Sequence, residues 1–140
     1  MITTLKVNIG KMQIREKEMT NKELVLKFYE EVFNNKDLSN LDAYMLDSYR
    51  QHNPTAPDGK AGFKAFAERF LALDPHMDIL KVVAEEDLVV VFFKCTIGAN
   101  GTVNKVFDMY RLEDGKLAEH WDCVMHDIDD EHTVSGNSQF

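Results

Sequence analysis

The stretch that decides the fold is residues 106–122, VFDMYRLEDGKLAEHWD. Two runs of β-prone residues flank the dipeptide Asp114-Gly115 in its middle. Asp-Gly is a strong signal for a two-residue hairpin, because both central positions of the favoured turn need a positive φ. The stretch therefore predicts an antiparallel hairpin, with strands over residues 102–112 and 116–126.

Two further strands precede this hairpin, over residues 77–84 and 87–97. Glu85-Glu86 separates them, and Asn100-Gly101 joins the second of them to the hairpin. Asn-Gly is a hairpin signal of the same kind as Asp-Gly. The second half of the chain thus predicts a four-stranded antiparallel meander.

The first half of the chain has helical periodicity. Thr20 and Glu23 match a capping box, after which apolar residues recur at helical spacing to about residue 35. A short second helix is expected from about residue 40, and a third over residues 61–73. Helices first and strands later predict an α+β fold, with about three N-terminal helices packed on one face of a curved antiparallel sheet.

Length and charge limit the function. A chain of 140 residues is one domain, which we place at 19–128, between a tail or extra strand at 1–18 and a polar, mobile tail at 129–140. The net charge of −8 argues against nucleic acid and against an anionic membrane surface. No apolar run approaches the roughly 20 residues of a membrane helix. Two cysteines without a spaced framework favour a reduced, cytoplasmic setting.

Strand alternation groups the polar residues of the hairpin. Asp108 and Tyr110 share a face of the first strand, and His120 and Asp122 share a face of the second, opposite Trp121. If the helices cover the even-numbered face, these side chains lie in an apolar chamber, where charged groups are costly unless they are paired or used. Spacing alone leaves the alternative open, in which this face is solvated and Trp121 is in the core.

The hairpin stretch resembles the signature of SnoaL-like polyketide cyclases. A second stretch with this resemblance is YRQHNP at residues 49–54, which is followed by Pro57-Asp58-Gly59. These cyclases belong to the nuclear transport factor 2-like superfamily of cone-shaped α+β folds. The resemblance covers residues 21–140. It implies that the even-numbered face lines the cavity, and that the opposite face pairs two copies of the chain into a homodimer.

The resemblance also implies roles for individual residues. Asp122 matches a catalytic aspartate, His120 a cavity histidine and His52 a histidine at the mouth of the pocket. Further pocket-lining residues are expected at Asp108, Tyr110, Lys94, Phe92, Tyr29 and Phe66. Relatives carry His-x-His where this chain has Phe92-Phe93-Lys94, so Phe92 and Lys94 are expected to change the charge of the pocket.

The function expected from these residues is aldol-type cyclisation, or a related acid–base proton transfer, on a small apolar carbonyl compound. A carboxyl group in an apolar cavity is suited to taking and returning a proton near neutral pH. Two alternatives stay open: a non-catalytic ligand-binding or dimerisation module, and a hydrolase or isomerase that uses the same pocket. His120 and Asp122 form an H-x-D pair that His126 or His52 could complete, but this spacing is common, so no metal and no cofactor are expected.

Overall fold

The computed structural model describes residues 17–99 and 101–140, so the tail or extra strand expected at 1–18 lies outside the described residues except for its last two. Three α-helices and five strands follow one another along the chain. They are α1 (Asn21–Phe28), which continues as a π-helical segment (Tyr29–Asn34), α2 (Leu41–Tyr44), β1 (Met45–Gln51), α3 (Gly59–Leu71), β2 (Pro75–Glu85), β3 (Leu88–Ile97), β4 (Val103–Glu113) and β5 (Lys116–Met125).

The predicted α+β architecture is confirmed, with helices packed on a curved five-stranded sheet. The capping box is present at the start of α1. The Glu23 backbone N–H donates to Thr20 Oγ1 at 3.2 Å, and the Thr20 backbone N–H donates to Glu23 Oε2 at 2.8 Å. Asp114 and Gly115 have φ values of 50° and 70°, as the hairpin between β4 and β5 requires.

The strand order is β1-β5-β4-β3-β2, and the sheet is mixed because β1 pairs parallel with β5. The expectation of a wholly antiparallel sheet was wrong at this edge, where the sequence analysis placed no strand. The segment MLDSYRQ has no regular alternation, and only Met45 and Tyr49 are buried. Its conformation therefore depends on pairing with β5, which is a contact distant in sequence.

Two β-bulges interrupt the antiparallel pairing. One falls at Leu80, between the pairs Ile79–Phe93 and Lys81–Phe92. The other falls at Ala118, because Arg111 pairs with Glu119 while Leu112 pairs with Leu117. A bulge bends a strand and shifts the face on which the following side chains lie. The second bulge consequently determines which residues of β5 share a face with those of β4.

The core lies between the helices and the inner face of the sheet, and includes Phe28, Val91 and Leu117. None of the helices in the described part of the chain has the length and apolar character needed to span a bilayer. Both cysteines are free, and Cys95 is buried while Cys123 is exposed.

The polar segment 129–140 folds back on itself and onto the outer face of the sheet, where we had expected a mobile tail. Ser138 Oγ donates a hydrogen bond to Asp130 Oδ2 at 2.6 Å. The ring of Phe140 lies parallel to that of Phe92, with 6.4 Å between centroids. This segment therefore covers part of the outer face of β3.

Candidate active site

A cavity of about 270 Å³ lies between the helices and the inner face of the sheet. One side of it is apolar and largely aromatic, formed mainly by Phe33, Phe63, Phe66, Phe70, Met77, Phe93 and Val106. The other side is polar and comes from β1, β4, β5 and the residues that follow β1 and β5: Tyr49, Gln51, Asn53, Asn104, Asp108, Tyr110, His120, Asp122 and His126.

Strand pairing brings the polar residues together. Asp108 lies directly opposite Asp122, and Tyr110 lies opposite His120. The helices cover this even-numbered face, so the alternative with Trp121 in the core is wrong. Asp108 and His120 are each 7% exposed, and they are the only buried polar or charged residues of the described chain.

The tautomer of His120 is determined by its neighbours. The backbone N–H of Asn53 donates to Gln51 Oε1 at 3.0 Å, which identifies that atom as the carbonyl oxygen of the amide. His120 Nδ1 lies 2.7 Å from the same oxygen, so Nδ1 carries a hydrogen and donates it. The imidazole also stacks on the ring of Tyr110, with centroids 4.7 Å apart. The ring is thus held by both a hydrogen bond and an aromatic face.

Asp108 accepts hydrogen bonds from two buried tyrosines. Its Oδ2 accepts from the hydroxyls of Tyr29 and Tyr110, the latter at 3.3 Å. Burial, followed by the negative charge of Asp108, raises the pKa of both tyrosines well above the ordinary range, so both hydroxyls keep their protons and donate. The other oxygen, Oδ1, lies 3.2 Å from His120 Nε2. This contact is not a hydrogen bond, and Nε2 has no hydrogen-bond partner among the described residues.

Asp122 is half-buried on the cavity wall, and Asn53 Nδ2 donates to its Oδ2. The backbone N–H of Thr55 donates to Asn53 Oδ1 at 2.8 Å, which fixes the orientation of the amide. Asp108, His120 and Asp122 each offer one ligand atom, and these atoms lie within 4.8 Å of one another. Among the described residues, these three side chains could together hold a metal ion.

The structure places His52 outside the cavity, which corrects its expected position at the mouth. Its Nε2 lies 2.8 Å from Glu119 Oε1, and its ring stacks on Trp121 with centroids 4.9 Å apart. The extended backbone continues past β1, where the His52 N–H donates to the His120 carbonyl oxygen at 3.0 Å. Alternation along this segment turns Gln51 and Asn53 inward and His52 outward.

Phe92 and Lys94 also lie on the outer face, contrary to the expectation that they line the pocket. Phe92 stacks on Phe107 with centroids 4.4 Å apart, and Lys94 Nζ lies 5.4 Å from the centroid of the Phe140 ring. The residues of β3 that line the cavity are Phe93 and Cys95. Phe92 and Lys94 therefore contribute nothing to the charge of the cavity.

The remaining expected residues divide between the wall and the layer behind it. Asp108, Tyr110, Phe66, His120 and Asp122 lie on the cavity wall. Tyr29 is buried behind the wall and touches Asp108 with its hydroxyl.

The sequence analysis missed Gln51 and Asn53, which orient His120 and Asp122. Both belong to the segment YRQHNP that carried the resemblance. An alternation rule applied to this segment as a strand would have placed them on the face of Tyr49, away from His52. The signal was available once the segment was recognised as extended.

Comparison with known proteins identifies the family. Residues 25–120 match the SnoaL-like domain family. No curated protein matches the chain.

Three solved structures share the fold. TsrD from Streptomyces laurentii has a TM-score of 0.65 at 24% identity, over 78% of this chain and 91% of that chain. A candidate polyketide cyclase from Acidithiobacillus ferrooxidans has a TM-score of 0.66 at 20% identity, over 78% and 91%. IdmH from Streptomyces antibioticus, also a candidate polyketide cyclase, has a TM-score of 0.64 at 19% identity, over 76% and 92%. At these identities the likeness shows the fold alone, whereas the family match spans more than half of the sequence; the chain belongs to the SnoaL-like domain family.

Proposed function

We propose that the cavity is an acid–base active site for aldol-type cyclisation, or a related proton transfer, on a small neutral carbonyl compound. The observation that carries the proposal is the convergence of Asp108, His120 and Asp122 on one wall of a cavity whose other side is largely aromatic. Buried ionisable groups are costly, and their clustering in a cavity is typical of a functional site.

The lining of the cavity supports a neutral, largely apolar ligand. Apart from tyrosine and cysteine, the ionisable residues that line the cavity are two aspartates and two histidines. Its described lining residues include neither Lys nor Arg. An anionic ligand would meet Asp108 and Asp122 with no Lys or Arg side chain to compensate its charge. The aromatic side offers rings for apolar contact, while the polar side can orient a carbonyl group.

In this proposal Asp122 carries the proton. Its carboxylate takes a proton from the carbon next to a carbonyl group, and the electrons of that C–H bond form the enolate. The enolate carbon then attacks a second carbonyl carbon of the same molecule, which forms the new C–C bond. The resulting alkoxide takes the proton back from Asp122, so the carboxylate is restored and no co-reactant is needed.

His120 and Asp108 support this step from the same wall. His120 Nε2 is the atom of the imidazole nearest Asp108, and in the protonated ring it donates a hydrogen bond to the enolate oxygen. Gln51 holds the opposite nitrogen, so the ring cannot turn away. Asn53 holds Asp122 in the same manner. Both groups are thereby oriented before a ligand enters.

The test measures proton exchange, which requires no knowledge of the natural substrate. The chain is incubated in D₂O with small neutral benzo-fused ketones such as 2-tetralone, and deuterium uptake at the α carbon is followed by NMR. We expect exchange above the buffer rate, and we expect Asp122→Asn to reduce it by about 10²–10⁴-fold. Asp127→Asn, at an exposed position nearby, is the matched control and should leave the rate unchanged.

Either of two results would contradict the proposal. One is an Asp122→Asn rate within about threefold of the parent, because loss of a general base costs far more than that. The other is ketone binding without any exchange, which would favour the non-catalytic ligand-binding module.

We further propose that the chain forms a homodimer through the outer face of the sheet. Phe107 and Met125 are 47% and 51% exposed on this face, beside Met109 and Trp121. Contiguous apolar area of this kind marks an interaction surface in many proteins. A second copy of the same face would cover it symmetrically.

A further inference from the structure

We propose that Asp108, His120 and Asp122 form a binding site for one divalent transition-metal ion, with one oxygen from each carboxylate and Nε2 of the imidazole as ligands. The sequence analysis expected no metal because H-x-D lacked a convincing third ligand. The structure supplies that ligand from the neighbouring strand, since Asp108 lies directly opposite Asp122. The inference concerns the same cavity as the proposed reaction but does not depend on it.

The spacing of the ligand atoms suits one ion. His120 Nε2 and Asp108 Oδ1 are 3.2 Å apart, and ligand atoms from all three residues lie within 4.8 Å of one another. Bonds of about 2.2 Å to an octahedral ion place neighbouring ligands about 3.1 Å apart and opposite ligands about 4.4 Å apart. Two carboxylates and one imidazole are a ligand set that Mn²⁺, Fe²⁺ and Zn²⁺ accept.

His120 Nε2 provides independent evidence that a ligand is missing. The side chain is 9% exposed, and Nε2 has no hydrogen-bond partner among the described residues. Because Nδ1 donates to Gln51, Nε2 of the neutral ring carries a lone pair, and it lies 3.2 Å from Asp108 Oδ1. Two acceptor atoms this close repel each other unless a cation lies between them or beside them.

Each of the three side chains is also held from behind, as metal ligands usually are. Gln51 accepts from His120 Nδ1, and Asn53 donates to Asp122 Oδ2. The hydroxyls of Tyr29 and Tyr110 donate to Asp108 Oδ2. His120 Nε2 is left without such a partner among the described residues, and it lies 3.2 Å from Asp108 Oδ1.

A proton on His120 Nε2 competes with a metal ion for this position. With the proton bound, the three residues form the acid–base site of the proposed function. The two states differ in what they bind, so metal binding measured without substrate distinguishes them. Failure to bind metal would leave the proposed proton transfer untouched. Failure of the exchange assay would equally leave the metal site untouched.

The experiment is a titration of the chelator-treated full chain with Zn²⁺, Mn²⁺ and Co²⁺, each alone, by calorimetry. We expect one saturable site per chain for at least one of these ions, and an absorption band from Co²⁺ if it binds. His120→Gln and Asp122→Asn should each abolish binding. Asp122 is only half-buried, so Asp122→Asn keeps the test valid if His120→Gln does not fold.

Two surface pairs provide matched controls. His76 and Asp78 are 3.1 Å apart, and His132 and Asp129 are 2.9 Å apart, and all four side chains are exposed. His76→Gln and His132→Gln should bind metal as the parent does. Gln51→Leu removes the acceptor behind His120 and should weaken binding by about 10–100-fold.

The proposal is overturned if the parent binds none of the three ions. It is also overturned if binding disappears in His76→Gln or His132→Gln while persisting in Asp122→Asn, because the ion would then be held by a surface pair.

Discussion

The two faces of the β4–β5 hairpin differ in what covers them. On the inner face, Asp108 and His120 lie beneath helices and are almost completely buried. On the outer face, the neighbouring residues Phe107 and Trp121 are left at least partly accessible. Polar groups are thus enclosed and apolar groups are exposed, which is the reverse of the usual distribution.

This reversal supports the two proposals, a small ligand on the inner face and a second copy of the chain on the outer face. Buried polar groups need hydrogen bonds, and those on the inner face have them, except at His120 Nε2. Exposed apolar groups need cover, and segment 129–140 supplies part of it at Phe92. Inner and outer positions on the same strands should therefore differ in reactivity, in stability and in their effect on association.

The largest difference between the two faces is expected in the rates at which the two cysteines react with a thiol reagent. Burial, with a smaller contribution from Asp108, raises the pKa of Cys95 on the inner face to about 12, whereas Cys123 is exposed on the outer face. Because the thiolate is the reactive form, Cys95 should react about 10³-fold or more slowly than an ordinary thiol at pH 8. Labelling of dilute protein with a maleimide, read by mass spectrometry, should modify Cys123 alone until the chain is unfolded. Cys123→Ser is the control, and rapid labelling of that folded variant would contradict the burial of Cys95.

The second difference concerns two adjacent phenylalanines. Phe93 faces inward and is 2% exposed, so Phe93→Ala should lower the free energy of unfolding by about 3–5 kcal/mol. Phe92 faces outward and is only partly buried, so Phe92→Ala should cost about 1 kcal/mol. Urea denaturation of both variants measures the difference. Equal losses would mean that the outer face is packed as tightly as the core.

The third prediction concerns the oligomeric state. Phe107→Glu places a charge at the centre of the exposed apolar face, and it should convert a dimer into a monomer in light scattering. In the parent, labelling of Cys123 should slow as the protein concentration rises, because dimerisation would cover the neighbouring surface. Val134→Glu changes an exposed apolar residue away from the sheet and should leave the dimer intact. A parent that is monomeric at micromolar concentration would refute the proposed interface.

The smallest effect is expected at Glu119, on the outer face. Hydrogen bonds from His52 and Arg111 lower the pKa of this carboxyl group below its ordinary value. Because this pKa is lower in the folded than in the unfolded chain, the ionised carboxylate stabilises the fold at pH values above its unfolded-state pKa. The stabilisation is lost as the pH falls through the folded-state pKa. Glu119→Gln should therefore melt at a slightly lower temperature than the parent at pH 7, and the gap should close below about pH 4. A gap that widens in acid would contradict this assignment.

Much of the architecture follows from local sequence signals. The predicted order of helices before strands is interrupted by β1, which lies between α2 and α3. The capping box at Thr20 and Glu23 and the hairpin at Asp114-Gly115 are present as predicted. Each depends on residues a few positions apart, so local propensity was sufficient. The strand β1 was missed because its partner, β5, lies about 70 residues further along the chain.

The positions of Phe92 and Lys94 could have been predicted better. A two-residue turn at Asn100-Gly101 would pair Phe93 with Asp108. The structure pairs Phe93 with Val106 instead, because β3 ends at Ile97 and β4 begins at Val103, but this shift of two residues still matches odd-numbered residues of β3 with even-numbered residues of β4. The even-numbered residues of β4 face the cavity, so Phe93 faces inward and Phe92 outward. Phe92 and Lys94 were expected in the pocket because of the family resemblance alone, whereas strand alternation and the pairing across the turn predict that they face outward.

Because side chains alternate along any strand, the residues alone predict that Asp108 and Tyr110 share one face of β4 and that His120 and Asp122 share one face of β5. Whether these two faces are the same depends on contacts distant in sequence. An uninterrupted hairpin from Asp114-Gly115 would pair Tyr110 with Glu119, which would leave His120 and Asp122 on the outer face. The bulge at Ala118 adds one residue to β5, so Tyr110 instead pairs with His120. Ala118 is 3% exposed, and the bulge is set by packing around it and by the parallel pairing with β1, which no local pattern encodes.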